Sequence, residues 1–85
     1  MTEYNKKLIE VISLLGKNWK VDDYQLAGMG WAAVLSNDTQ VMTLHSERGW
    51  VDIYLGPYTD HKVLACKQSA SEIAKVIAIV ASKER

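Results

Sequence analysis

Five residues of catalytic type stand outside the charged helix faces of this chain: His45, Asp52, Asp60, His61 and Cys66. A metal centre needs three or four converging nitrogen, oxygen or sulfur ligands. His61 and Cys66 lie five apart across a loop-to-strand junction, and no CxxC, HExxH or second cysteine completes a set. No metal and no cofactor is implied. Cys66 acting as a nucleophile would need a base beside it and an activating positive field. His61 is too close along an extended chain to fold back on it, and His45 reaches it only if a fourth strand adjoins its hairpin. Leu64 and Cys66 share a strand face, which reads as a core thiol. GxSxG, P-loop and paired-carboxylate patterns are missing. The expectation is a protein with no catalytic residues, not an enzyme; a thiol hydrolase using Cys66 and a histidine is the minor competing reading.

The aromatic residues say more. Three Trp and four Tyr occur with no Phe, so every ring carries a hydrogen-bonding tip. Such rings suit a boundary dry on one side and wet on the other, and Trp and Tyr are frequent binding anchors. Trp19 and Trp31 read as core, with Tyr4 at a helix edge. Trp50 and Tyr54 differ, because strand alternation sets them opposite Val51, Ile53 and Leu55.

The elements that position these residues follow from periodicity. Thr2 can cap a first helix, with Glu3 in its positive first turn. Tyr4, Leu8, Val11, Ile12 and Leu15 form one helical stripe, and Gly16 ends it. Trp19-Lys20-Val21 alternates like a short strand, Asp22-Asp23 reads as a turn, and Tyr24-Gln25-Leu26 can resume extended structure. Gly28-Met29-Gly30 reads as a bend, since its glycines do not extend to GxGxxG.

Trp31–Ser36, Gln40–His45 and Trp50–Leu55 read as three strands joined at Asn37-Asp38 and at Ser46-Glu47-Arg48-Gly49. Pairing His45 with Trp50 gives a wholly apolar inner face of Trp31, Ala33, Leu35, Met42, Leu44, Val51 and Ile53. The opposite face then carries Val34, Val41 and Tyr54 in one row and Ala32, Thr43 and Asp52 in the next, with His45 beside Trp50. Asp52 is its only formal charge. Gly56-Pro57-Tyr58 turns the chain, Thr59-Asp60-His61 continue the loop, and Lys62–Lys67 reads as a fourth, edge-like strand. Ser69-Ala70-Ser71-Glu72 is a capping box that opens a final helix, apolar over a wide arc at Ile73, Ala74, Val76, Ile77, Ile79 and Val80. The fold class is α+β: an N-terminal helix, a three- to four-stranded antiparallel meander and a C-terminal helix, in the order α-β-β-β-β-α.

Composition bounds the function. Eighty-five residues make one domain, 1–85, and ten basic residues cancel ten acidic ones. No basic field exists to attract phosphate backbones, so general nucleic-acid binding is not expected. A lone cysteine fits a reducing compartment and cytoplasmic localisation. Residues 1–16 do not read as a signal peptide, because Glu10 breaks the apolar run. Ile73–Ala81 is interrupted by Lys75 and is far shorter than the ~20 residues needed to span a bilayer, so no membrane role is expected.

A lone antiparallel sheet normally wets one charged face. This one is charge-poor on both, so something must cover the second. Three arrangements do so: one helix on each face, a symmetric homodimer, or a different protein. The expected function is a small non-catalytic protein–protein interaction module of inhibitor, immunity or adaptor type. Its partner is another protein or itself, and its contact residues are Val34, Val41, His45, Trp50, Asp52 and Tyr54. The alternative is a small-molecule-binding homodimer with a pocket between sheet and helices, lined by Trp31, Met42 and Tyr58.

Overall fold

The computed structural model describes residues 4–28, 30–47, 49–56 and 63–83. Its elements run α1 (Lys6–Leu15), β1 (Lys20–Ala27), β2 (Gly30–Ser36), β3 (Val41–Glu47), β4 (Trp50–Leu55), β5 (Val63–Lys67) and α2 (Ala70–Lys83). The strands form one antiparallel sheet in the order β1-β2-β3-β4-β5. The α+β class and the helix–meander–helix order hold, with five strands rather than three or four.

The additional strand is β1, and it corrects the expected turn at Asp22-Asp23. The chain continues straight through on a bulge, where pairing shifts from Val21↔Leu35 to Asp23↔Val34. A bulge inserts one residue without ending the ladder. Asp23 supports it locally: its Oδ1 accepts from the Tyr24 N–H at 2.9 Å and its Oδ2 from Gln25 Nε2 at 3.2 Å. The glycine bend is the tight hairpin that follows, with Ala27 opposite Gly30 and Gly28 at φ 57°. A Cβ on Gly30 would collide with the Ser46 carbonyl, so this position also demands glycine.

The inner and outer faces are those the alternation predicts, but both hairpins pair two residues further along. Val34 faces Thr43 rather than Val41, and Trp50 faces Glu47 rather than His45. The turns set this register. Asn37 Oδ1 accepts from the N–H groups of Thr39 and Gln40, at 2.9 and 2.8 Å, which tightens the first loop. Gly49, at φ 87°, supplies the left-handed conformation that the second short loop needs. A two-residue slip preserves the faces because side chains alternate with period two.

Helix α1 opens on Asn5, whose Oδ1 accepts the Lys7 N–H at 2.9 Å. That is three residues beyond the expected cap, and Thr2 and Glu3 lie outside the described residues. Gly16, at φ 92°, closes it. Helix α2 begins with the predicted capping box: Ser69 Oγ accepts the Glu72 N–H at 3.3 Å and donates to Glu72 Oε1 at 3.0 Å.

Both helices lie on the same side of the sheet. One core joins Leu8 and Val11 of α1 and Ile73, Ala74 and Ile77 of α2 with Ala33, Leu35, Met42, Leu44, Val51 and Ile53 of the sheet. The arrangement with one helix on each face is therefore overturned. The wide apolar arc of α2 has a simpler use: it packs on the sheet and on α1 together. Trp19 and Trp31 are core as expected, and Tyr4 stacks edge-on against Tyr24 at 5.1 Å between ring centres.

Candidate functional site

The outer face of the sheet is built by the residues that alternate with the core. One row runs Gln25, Ala32, His45, Asp52 and Cys66 across all five strands. The next runs Asp23, Val34, Thr43, Tyr54 and Val63, and Trp50 stands beside Glu47 below them. Strand β1 and the true register thus bring Lys20, Asp23 and Glu47 to this side, in addition to Asp52. These charges fall on the rim, on the outermost strand and at the end of β3. The centre remains apolar or neutral apart from the His45–Asp52 pair, the layout of an interface core inside a polar rim.

The six expected contact residues all lie on this face, but they are not equally open. Trp50 is 51% exposed, whereas Val34 is only 7% exposed. Val41, His45, Asp52 and Tyr54 are half-buried. Thr43 is buried, and its hydroxyl donates to the Gly56 carbonyl at 2.8 Å. The large apolar side chains open on this face are therefore on its β4–β5 side: Trp50 at the start of β4, and Val63, 43% exposed, opposite Tyr54 toward its other end, with exposed Cys66 opposite Asp52 between them.

Cys66 corrects the expected core thiol. It lies on an edge strand opposite Asp52, with its side chain exposed on the outer face. Leu64 is exposed too, since the ladder slips by one residue between Ile53 and Tyr54. Strand β5 does adjoin the hairpin of His45, yet Asp52 stands between His45 and Cys66 in the row. The Asp52 carboxylate hydrogen-bonds the thiol and raises its pKa, with burial and the carboxylate charge adding to the effect and Lys67 opposing it. An activated cysteine needs the reverse shift. Tyr54 is also raised, chiefly by burial and then by Asp52 and Cys66. This cluster favours protonated, neutral side chains around one carboxylate.

Among the described residues no group of three or more His, Cys, Asp or Glu is placed to hold a metal. No helix among the described residues is long and apolar enough to cross a membrane. Asp60, His61, the Pro57-Tyr58 turn and the Tyr58 wall of the alternative pocket lie outside the described residues. Of that pocket's other two walls, Met42 is fully buried in the core and Trp31 is 3% exposed. Trp31 borders an open concavity of about 460 Å³ where the hairpin ends meet the start of α1, beside Lys7, Ser46 and Gly49.

Sequence reasoning did not foresee the exposure of Cys66 and Leu64. The signal was present in Lys62–Lys67 as an edge strand, because the face it turns away from the helices has a neighbouring strand on one side only. Compared with family models, curated proteins and solved structures, the chain finds no match.

Proposed function

We propose that this protein is a small, non-catalytic interaction module that docks another protein against the β4–β5 side of its outer sheet face. The carrying observation is that both helices and the whole core occupy the inner side, leaving half-exposed Trp50 on a face neither helix reaches. Trp50 is the anchor. Tyr54 flanks it, and Asp52 with His45 supplies polar register at a largely uncharged centre. Their contribution resembles that of interface hot spots, where a few aromatic side chains carry most of the affinity. The lone cysteine fits work in a reducing compartment such as the cytoplasm.

The test places a photo-crosslinking amino acid at position 50 or, for comparison, at Ile79 on the outside of α2. A discrete protein adduct from position 50 alone is the expected result. With the adduct's partner purified, Trp50→Ala should weaken binding by about tenfold or more, the cost of losing an aromatic anchor. A folded protein that gives no adduct at position 50, or an affinity indifferent to Trp50→Ala, would overturn the proposal.

A further inference from the structure

The two edges of the sheet are defended very differently. Strand β1 carries Lys20, Asp22, Asp23 and Gln25 and bends at its bulge, all devices that discourage strand addition. Strand β5 reads Val63-Leu64-Ala65-Cys66-Lys67, with one charge at its end and three exposed side chains. Its own slip near Leu64 leaves Ala65–Lys67 as a regular stretch.

The ladder phase shows where the unused backbone groups point. The Asn37 N–H donates to the Gln40 carbonyl at 3.0 Å, and the Gly56 N–H to the Val41 carbonyl at 2.8 Å. In an antiparallel ladder, residues alternate between bonding one neighbour and bonding the other. Val41, Thr43 and His45 therefore bond toward β4, and Val51 and Ile53 bond toward β5. Ala65 and Lys67, opposite Ile53 and Val51, bond back to β4. Cys66, between them, directs its N–H and C=O away from β4, to a side where no described strand pairs with β5.

We infer that a second copy of this chain adds its β5 antiparallel to this one, around a two-fold axis at Cys66, making a ten-stranded sheet. An outward donor and acceptor on one residue are what a two-fold strand pair requires, since Cys66 then exchanges both bonds with the partner's Cys66. Charge permits it: Lys67 faces the partner's Ala65, so the two lysines never oppose each other. The outer faces become continuous, and the row ending at Asp52 and Cys66 runs on into its twin. The pairing goes beyond the docking proposal and leaves Trp50 available for it. The stretch that pairs within both strands, Ala65–Lys67, spans only about 10 Å. That buries much less than the about 1,200–2,000 Å² of a standard stable interface, so the dimer forms reversibly with concentration.

Sedimentation equilibrium on the full chain, from about 5 to 500 µM, tests this, with a dissociation constant of about 10–100 µM expected. Cys66→Pro removes only the outward N–H, because proline is tolerated where an edge strand's donor faces solvent. It should weaken the dimer more than about tenfold while the circular-dichroism melt stays cooperative, whereas Cys66→Ser should dimerise like the wild type. If the proline variant fails to fold, Cys66→Lys sets like charges opposite each other on the exposed side and should abolish the dimer instead. A wild type monomeric throughout, or a folded Cys66→Pro or Cys66→Lys chain that pairs as well as the wild type, would overturn the inference. Neither result alters the position-50 adduct to a different protein, so the two proposals fail separately.

Discussion

The two faces of this sheet are made by neighbouring residues of the same strands, yet they answer to different demands. On the inner face Leu35, Met42, Leu44, Val51 and Ile53 are fully buried beneath two helices. One residue along, the outer face has buried Val34 and Thr43, half-buried His45, Asp52 and Tyr54, and open Trp50. The inner side has what a small core needs. The outer side keeps large aromatic and aliphatic groups that core formation does not use, and such surplus on a surface marks interaction more often than stability.

The contrast can be broken by comparing adjacent residues that point opposite ways. Leu44→Ala on the inner side should cost about 3 kcal/mol, the price of a cavity beneath both helices. For a chain of this size that lowers the melting temperature by more than about 10 °C. Thr43→Val, one residue away on the outer side, should cost about 1 kcal/mol by leaving the half-buried Gly56 carbonyl without its donor. Calorimetry on the pair is decisive: equal losses would mean that the outer face is a second core.

A different measurement sharpens the electrostatic half of the comparison. Asp52 holds the Cys66 thiol above its ordinary pKa. Asp52→Asn removes that charge, so the thiol should ionise at lower pH and alkylation by iodoacetamide near pH 8 should accelerate by about two- to fivefold. The sign is the informative part. A slower reaction would mean that Asp52 acts as a base toward the thiol rather than as a charge that keeps it protonated.

What could be read from the chain divides along the same line. Strict alternation from Trp31 to Leu55 fixed which side chains face the core, because parity survives a two-residue slip. It could not fix the pairing itself. That depends on Asn37 folding its side chain onto the backbone of Thr39 and Gln40, and on Gly49 adopting positive φ. Strand β1 was obscured because two adjacent aspartates have turn chemistry, and only the partner strand reveals that they sit on a bulge. The placement of both helices together was equally hidden. An apolar arc as wide as that of α2 suits either a sheet and a partner outside the chain or, as found, a sheet and α1. The six expected contact residues all lie on the outer face, as alternation places them, but their exposure depends on neighbours that sequence does not rank.

The smallest expected effect carries the most weight. Trp50→Ala removes the largest type of side chain, and in a core it would cost about 3–5 kcal/mol. Here half of the side chain already meets solvent, and it does not belong to the buried cluster. Its truncation should therefore change stability by no more than about 0.5 kcal/mol, within the range of ordinary surface substitutions. Denaturant titration of the isolated chain reads this directly, with an unchanged slope showing that the unfolding transition itself is intact. A loss of several kcal/mol would return Trp50 to the core and remove the reason for treating this face as a surface that binds. A near-zero loss leaves Trp50 as a surface group that can be truncated without unfolding the chain, which is the condition for reading its effect on binding separately from its effect on stability.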